Sequence, residues 1–263
     1  MITALSMLSL QGFAILFVVM TIVWLIQLKT KNAGIVDAVW AFSFPILASF
    51  YILRTAQYGP RQLALLVLVV LWGFRLGIHL FQRNHKGAED ARYAQLRKEW
   101  GAKANLKMFL FFQVQALLAT ILSAPYALVS VDETTDLSVL NYLGLGIGLI
   151  ALVGESVADR QLRVFKQSPS NKGKILNTGL WGRSRHPNYF FEWLMWVAFL
   201  VYALSSPSGW IAIIGVWLMY HFLMNVTGIP ATEEQMLKSR GEPFKRYQEE
   251  TPAFFPRLSK SRS

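Results

Sequence analysis

LSLQGFAILFVVMTIVWLIQL, residues 8–28, is a stretch of 21 residues that contains no charged side chain. An α-helix crosses the hydrocarbon core of a bilayer with about 20 mostly apolar residues, so this stretch predicts a transmembrane helix. Further stretches of the chain are predominantly apolar in the same way. We therefore predict an all-α integral membrane protein with seven transmembrane helices at residues 8–28, 35–53, 63–81, 108–129, 140–158, 189–204 and 210–226.

The composition agrees with a membrane protein. Of 263 residues, 54% are hydrophobic, and the mean hydropathy of +0.36 exceeds that of an ordinary soluble domain. We predict one domain, residues 1–263, with most of its motifs in residues 155–263. The absence of cysteine excludes disulfides, zinc–thiolate sites and thiol nucleophiles. The four histidines show no spacing typical of metal ligands, so no metal site is expected.

The net charge of +11 follows from how the basic residues are distributed. With seven spans, every Lys and Arg except Arg54, Arg61 and Arg75 lies in the loops or tail on one side of the membrane. Such an asymmetry predicts that this side is cytoplasmic, with the N-terminus outside and the C-terminus inside. Topology and contact with anionic lipid headgroups account for the basicity, and no nucleic-acid partner is expected.

One polar segment lies directly before the sixth predicted span. It reads NTGLWGRSRHPNYFFE over residues 177–192 and contains Arg185, His186, Asn188, Tyr189 and Glu192. Polar side chains at the end of a membrane helix are costly, and they indicate a bound ligand.

The third predicted span also carries polar side chains on one face. Trp72, Arg75, His79 and Arg83 are separated by three, four and four residues, which places them on one stripe of a helix. Arg75 is deep enough in the span to require a carboxylate or a ligand. Two interpretations stay open at this point, a structural ion pair and a face turned toward a cofactor.

Acidic residues occur in two other spans. Glu155 and Asp159 share a face with Arg163 and Lys166 at the end of the fifth span, where they predict either a ligand site or a solvated helix end. Asp37 begins the second span. It is either a helix-capping carboxylate or a protonated donor in an apolar setting.

Two pairs of glycines predict close helix packing. Gly73 and Gly77, and likewise Gly144 and Gly148, are four residues apart within predicted spans. The second pair lies in a Gly-Leu-Gly-Ile-Gly run that follows no strand, so it does not predict a nucleotide-binding loop.

The polar groups together predict a nucleotide cofactor that enters from the cytoplasm. Phosphates favour clustered Arg and Lys, and a carboxamide favours a paired donor and acceptor such as Asn188 and Glu192. The apolar interior beside them would hold a lipid-soluble substrate. NADPH and S-adenosylmethionine both satisfy this pattern.

Motifs along nearly the whole chain resemble those of the steroid 5-alpha-reductase-like membrane proteins, most closely their bacterial branch of uncharacterised members. The first is the segment from Gly179 to Glu192 with its Arg-His-Pro-Asn-Tyr core. The others, in chain order, are VDAVW at 36–40, RNH at 83–85 with EDARY at 89–93, ADRQ at 158–161, and a tail with EE at 233–234, GEPF at 241–244 and Tyr247.

The resemblance implies a seven-helix fold that binds NADPH at its cytoplasmic side. Asn188 and Glu192 would hold the nicotinamide carboxamide, and Asp159, Arg163 and Lys166 would contact the adenosine and phosphates. The remaining cofactor contacts implied by the resemblance are Arg75, Arg83, Arg92, Tyr93, Glu155, Lys174, Arg185, His186, Tyr189, Glu233 and Tyr247.

The implied reaction is hydride transfer to the β carbon of an enone or similar activated alkene, in a steroid-, isoprenoid- or lipid-like substrate. An acid polarises the carbonyl, and Asp37 is expected in that role with His79 as the second candidate. Trp40 and Trp72 would line the substrate. Trp72 stands where the steroid enzymes have a tyrosine, and indole cannot act as an acid. The resemblance places the protein in a bacterial inner membrane, with lipid around it and no obligate protein partner.

A second class of enzyme shares part of the pattern. Isoprenylcysteine and phospholipid methyltransferases also have an Arg-His-Pro-x-Tyr core and a Glu-Glu tail, but they bind S-adenosylmethionine. Asn188 and Glu192 favour a nicotinamide, and the motifs around Asp37, Arg75 and Glu89 have no expected counterpart in the methyltransferases. The sequence therefore favours reduction over methyl transfer.

Overall fold

The computed structural model describes residues 2–55, 59–85 and 89–257. Helix makes up 82% of the structure, and no strand occurs in these residues, which confirms the all-α prediction. The helices are α1 (Ile2–Thr30), α2 (Ile35–Leu53), α3 (Pro60–His85), α4 (Ala91–Trp100), α5 (Ala104–Leu122), α6 (Ala124–Ser130), α7 (Val139–Gln167), α8 (Pro187–Ala203), α9 (Ile213–His221), α10 (Ile229–Arg240) and α11 (Glu242–Glu250).

Within the described residues, six segments are long and apolar enough to cross a membrane, which supports a multi-pass membrane protein. They are Thr3–Thr30, Ile35–Leu53, Pro60–Arg83, Ala91–Leu122, Val139–Gln167 and Gly209–Arg240. The remaining predicted span, 189–204, corresponds to α8. This helix has 17 residues and is about 25 Å long, against a hydrocarbon core of roughly 30 Å. The seventh span therefore stays a prediction.

Two predicted spans are interrupted. The stretch 108–129 forms α5 and the short α6, because Pro125 has no N–H for the helix ladder and its ring collides with the preceding turn. Ser123 lies at the break, where its hydroxyl donates to the carbonyl of Thr120 at 2.7 Å. The stretch 210–226 begins with a 3-10 turn, continues as α9 and ends in one turn of π-helix, Phe222–Val226.

The chain forms two compact units. The first, Met1–Asn141 with Tyr202–Ala212, contains α1 to α6. Its helices α2 and α3 approach closely, since a Cβ on Gly73 would lie 2.5 Å from the ring of Pro45, and one on Gly77 would lie 2.6 Å from the ring of Phe42. The predicted role of this glycine pair in helix packing is confirmed.

A buried arginine holds one end of this first unit together. Arg61 is fully buried at the start of α3, and it donates to Asp132 at 2.7 Å and to Ser205 at 2.9 Å. Its hydrogen bonds also reach Ser206, and its own carbonyl accepts from the Tyr202 hydroxyl at 2.6 Å. The segment after α6 and the segment after α8 are thereby fixed to the same residue.

The second unit, Tyr142–Val201 with Ile213–Ser263, contains most of α7 and α8 and the C-terminal helices. Gly154 of α7 lies against the ring of Phe191, and the indole of Trp193 in α8 donates to the carbonyl of Val216 in α9 at 3.2 Å. After α11 the chain turns back as a C-terminal segment, residues 251–257. Its Phe254 is buried in an aromatic cluster with Phe190, Phe255, Trp193 and Tyr220.

Candidate functional site

Arg185 is the centre of a polar network in the second unit. Its Nε and Nη2 donate to the two carboxylate oxygens of Glu233 at 2.7 and 3.2 Å, a forked ion pair. Its Nη1 donates to the carbonyls of Gln248 and Thr251 at 2.9 and 2.5 Å. Four of its five N–H donors are thus used within the protein. Arg185 fastens the loop before α8 to the C-terminal helices.

Glu233 receives two further hydrogen bonds. The Nε2 of His186 lies 2.9 Å from Oε1, and the amide of Gln248 donates to Oε2 at 2.6 Å. The His186 ring stacks on Tyr189, with centroids 5.4 Å apart and planes at 6°. The predicted residues Arg185, His186 and Glu233 are therefore brought together, and they contact one another.

The backbone of the same loop pairs with the C-terminal segment. The N–H of Arg185 donates to the carbonyl of Pro252 at 2.9 Å, and the N–H of Arg257 donates to the carbonyl of Arg183 at 3.0 Å. The buried hydroxyl of Ser184 lies 2.9 Å from the carbonyl of Phe254 and accepts from the N–H of His186 at 3.1 Å. The loop conformation is thus set by residues about 70 positions away in sequence.

Tyr247 also has a structural position. It is buried, and its hydroxyl donates to the carbonyl of Trp181, whose indole donates to the carbonyl of Ala158 at 3.0 Å. Burial raises the pKa of the Tyr247 hydroxyl well above its ordinary value, so it stays neutral near pH 7. This chain of hydrogen bonds connects α11 to α7 through the 3-10 turn Gly179–Gly182.

The first two turns of α8 present the predicted nicotinamide-binding residues. The side-chain oxygen of Asn188 is buried and accepts no hydrogen bond from any residue in the described ranges. The Tyr189 hydroxyl lies 3.3 Å from the Thr232 hydroxyl of α10. Glu192 is buried one turn after Asn188. An acceptor without a donor suits the amide N–H of a carboxamide.

Helix α7 changes character along its last three turns. Glu155 and Asp159 are buried, whereas Arg163 and Lys166 are exposed, and Lys174 is exposed in the loop that follows. The predicted face therefore runs from buried carboxylates to basic side chains that solutes can reach. Basic side chains at such a helix end are suited to bind the phosphates of a nucleotide.

In the first unit, Asp37 binds the EDARY motif. One carboxylate oxygen accepts from the Tyr93 hydroxyl at 2.5 Å, and the other accepts from Arg92 at 3.0 Å. Arg83 lies 3.6 Å from the same oxygen as Arg92. Asp37 thus accepts hydrogen bonds from Arg92 and Tyr93 of α4 and lies beside Arg83 of α3.

The acidic pair before α4 anchors that helix. Asp90 caps α4 by accepting from the N–H of Arg92 at 3.0 Å, and Glu89 accepts from the N–H of Ala33 at 2.9 Å and from Arg97 at 2.8 Å. Partial burial favours a higher pKa for Glu89, but these hydrogen bonds and the charge of Arg97 outweigh it and hold the pKa below its ordinary value. Arg97 also donates to the buried side chain of Gln27 at 3.0 Å.

The remaining candidates lie on α2 and α3. Trp72 is fully buried with its ring centroid 5.3 Å from that of Phe44, and Trp40 lies 4.8 Å from the same ring. Arg75 and His79 are half-buried on the helix that carries Trp72. Trp72 therefore packs in an aromatic core, and a role beside a substrate stays a prediction.

Some participants could not be recognised from the sequence. Gln248 and the carbonyl of Thr251 complete the network around Glu233, but neither belongs to a residue pattern that indicates a site. Tyr93 was expected at the cofactor, and the structure pairs it with Asp37 across 56 positions. The only available signal was that both residues stand within motifs.

Comparison with known proteins gives a family but no activity. An uncharacterised protein of Schizosaccharomyces pombe, C594.04c, is 26% identical over 289 aligned residues that cover 95% of this chain and 80% of that protein. A probable O-methyltransferase of Ustilaginoidea virens, ustE, is 34% identical over 99 residues, 37% of this chain and 34% of that protein. No solved structure matches the chain.

A family model described as a protein of unknown function, DUF1295, matches residues 23–251. The match begins in α1 and ends after α11, so it takes in all the motifs described above. The chain belongs to the DUF1295 family, which is related to the steroid 5-alpha-reductase-like membrane proteins.

Proposed function

We propose that the protein is an NADPH-dependent membrane reductase that acts on an activated C=C bond in a lipophilic substrate. The observation that carries the proposal is the 2.5 Å hydrogen bond between the Tyr93 hydroxyl and Asp37. A carboxylate and a tyrosine are the two groups that the resemblance leads one to expect on the substrate carbonyl. Tyr93 supplies the phenol that is absent at Trp72.

The chemistry explains why such a pair is useful. NADPH would supply the hydride. Addition at the β carbon of an enone places negative charge on the carbonyl oxygen, and a nearby O–H donor stabilises that charge. We assign this donor to Tyr93 in place of Asp37 alone: its single hydroxyl hydrogen, which points to Asp37 in the structure, would turn to the substrate oxygen. A proton added at the α carbon completes the reduction, and His79 is the second candidate for proton transfer.

The residues expected to hold the cofactor have suitable donors and acceptors. We assign the nicotinamide carboxamide to Asn188, whose buried oxygen accepts no hydrogen bond in the described part of the chain, and to Glu192. Asp159, Arg163 and Lys166 are assigned to the adenosine and phosphates. Arg185, His186 and Glu233 are used mainly in contacts with each other, and we assign them to fixing the loop that carries Asn188.

We also propose seven spans with the N-terminus outside and the cofactor residues at the cytoplasmic face. The asymmetry of Lys and Arg supports this orientation. A bacterial inner membrane is the proposed location, drawn from the resemblance. A relative aligned over 95% of this chain is from yeast, so similarity to this chain is not confined to bacteria.

S-adenosylmethionine-dependent methyl transfer is the alternative function. The partial similarity to a protein named as a probable O-methyltransferase favours it. The Arg-His-Pro-Asn-Tyr core is compatible with either cofactor. A methyl transfer leaves no charge on a carbonyl that would require the Tyr93–Asp37 pair.

Thermal unfolding of the detergent-purified protein with NADPH, NADH or S-adenosylmethionine separates the two functions. A ligand at 100 times its dissociation constant stabilises the folded state by about 2.7 kcal/mol. We expect stabilisation by NADPH, and a weaker response in Glu192→Gln, which keeps the shape and removes the charge. Glu249→Gln, at an exposed position of α11, should respond like the wild type. Stabilisation by S-adenosylmethionine alone would refute the reductase proposal.

A further inference from the structure

An apolar groove lies on the surface of α7 beside α8. It has a volume of about 360 Å³ and is lined by Leu149, Ile150, Val153, Gly154 and Phe191. Its lining is almost wholly apolar. Gly154 allows the Phe191 ring to pack directly against α7, because a Cβ there would collide with that ring. The groove is therefore a built feature of the contact between α7 and α8.

The groove opens outward from a membrane helix. Leu149 and Ile150 are each 60% exposed and Val153 is 54% exposed, on a segment, Val139–Gln167, that is long and apolar enough to cross a bilayer. In a membrane, the surroundings of these side chains are hydrocarbon chains. The occupant of the groove is then an acyl chain.

Arg160 is the first basic residue after the apolar residues of the same helix face. Ile150, Val153, Val157 and Arg160 are separated by three, four and three residues, so they share one exposed stripe of α7. Twenty residues from Val139 extend roughly 30 Å, the thickness of the hydrocarbon core, and end at residue 158. Arg160 therefore lies in the headgroup layer. No carboxylate in the described part of the chain pairs with it.

The distance between groove and arginine matches one lipid. The groove residues of α7 precede Arg160 by 6 to 11 positions, which is about 9–16 Å along the helix axis. One leaflet contributes about 15 Å of hydrocarbon to the core. A lipid with its phosphate at Arg160 therefore has the middle and end of an acyl chain at the level of the groove.

We propose that the groove binds one acyl chain of an anionic phospholipid whose headgroup phosphate pairs with Arg160. The charge selects the headgroup, because an anionic lipid retains a net negative charge beside the guanidinium whereas a zwitterionic lipid has none. The lining selects the chain, because aliphatic side chains and the Phe191 ring offer an acyl chain apolar contacts and offer a polar group no partner. The site uses no residue assigned to the cofactor and does not depend on the proposed reaction.

Native mass spectrometry of the detergent-purified protein with dioleoylphosphatidylglycerol or dioleoylphosphatidylcholine tests the site. We expect the wild type to prefer phosphatidylglycerol, and we expect Arg160→Gln to lower this preference about fivefold. A change in affinity of about fivefold corresponds to the attraction between one basic residue and an anionic membrane surface. Val153→Trp, which fills the groove, should lower the occupancy of both lipids. Ile150→Phe fills the same space if Val153→Trp does not fold.

The controls change the same properties elsewhere. Lys172→Gln removes one exposed charge after α7, and Leu143→Trp adds an indole to the same stripe before the groove; both should bind lipid like the wild type. Equal binding of the two lipids by the wild type would overturn the proposal. So would losses in Arg160→Gln and Val153→Trp that are no larger than those of the controls.

Discussion

Glu233 and Glu234 are neighbours in the chain with opposite surroundings. The Glu233 side chain is 12% exposed and receives four hydrogen bonds from Arg185, His186 and Gln248. Glu234 is 67% exposed, and within the described residues its ion pair is with Lys238, one turn later. Two adjacent residues of one type therefore give a matched comparison of a buried network with a surface ion pair.

Glu233→Gln should destabilise the protein by about 3 kcal/mol, because the guanidinium of Arg185, whose side chain is 10% exposed, then loses its counter-charge. Glu234→Gln should leave the stability close to that of the wild type, because water screens an exposed ion pair on a helix. Thermal or denaturant unfolding in the same detergent measures both. Similar costs for the two variants would show that the network does not hold α10 to the loop before α8.

Tyr93→Phe should abolish most turnover and spare cofactor binding. The change removes only the hydroxyl that lies 2.5 Å from Asp37, and loss of a positioned acid commonly lowers a rate about 10²- to 10⁴-fold. The measurement is NADPH oxidation with a lipophilic enone, beside thermal stabilisation by NADPH. Tyr142→Phe, at an exposed position, is the control. A Tyr93→Phe enzyme with full turnover would exclude this residue as the donor.

The sequence identifies these residues as parts of motifs, but it does not predict which residues they contact. Asp37 and Tyr93 both stand in motifs, but the 56 positions between them include two helices and a loop, and nothing in their spacing brings them together. Glu233 and Arg185 are 48 positions apart. Contacts of this kind depend on how helices are oriented, which periodicity along one helix does not specify.

At the scale of elements, α4 shows which helix ends can be recognised from the sequence. Residues 82–107, between the third and fourth predicted spans, are expected from the sequence only as a loop, yet residues Ala91–Trp100 form a helix. Asp90 at its N-cap is a recognisable start, and Gly101 with positive φ is a recognisable end. The break between α5 and α6 was likewise readable from Pro125. The π-helical turn before α10 has no comparable sequence signal.

The attachment of α4 should depend on pH through Glu89. Its folded pKa lies below the ordinary 4.5, so the ionised form favours the folded state. This contribution is complete above pH 4.5 and is lost as the pH falls below it. Melting temperatures from pH 6 to pH 3.5 should therefore decline less in Glu89→Gln than in the wild type.

Glu99→Gln provides the matched control, since Glu99 is exposed on the same helix and, among the residues described, accepts a side-chain hydrogen bond from Gln95 alone. Its melting temperature should follow that of the wild type across the pH range. If Glu89→Gln and Glu99→Gln follow the same curve, then Glu89 does not couple the α1–α2 connection to α4.

At the scale of the whole molecule, two networks bear on the number of spans. In the second unit, Arg185 before α8 contacts Glu233 and Thr251 after α9, so these segments lie at one membrane face. In the first unit, Arg61 binds Asp132 before α7 and Ser205 after α8. Between two segments that lie at the same membrane face, the chain must cross the membrane an even number of times. If α9 with its π-helical turn crosses, α8 must cross as well.

The chain has no cysteine, so single cysteines can report this topology without a background. We predict that Lys172→Cys and Glu249→Cys react with a membrane-impermeant maleimide only in inverted vesicles, because the basic loops face the cytoplasm. Asp136→Cys and Pro207→Cys, both exposed, should react only from the outside of intact cells. If α8 did not cross, Pro207→Cys would react from the same side as Lys172→Cys. Labelling of Pro207→Cys from the outside would make α8 a full span despite its 17 residues, which is physically reasonable because a bilayer can thin locally to match a short helix at modest cost.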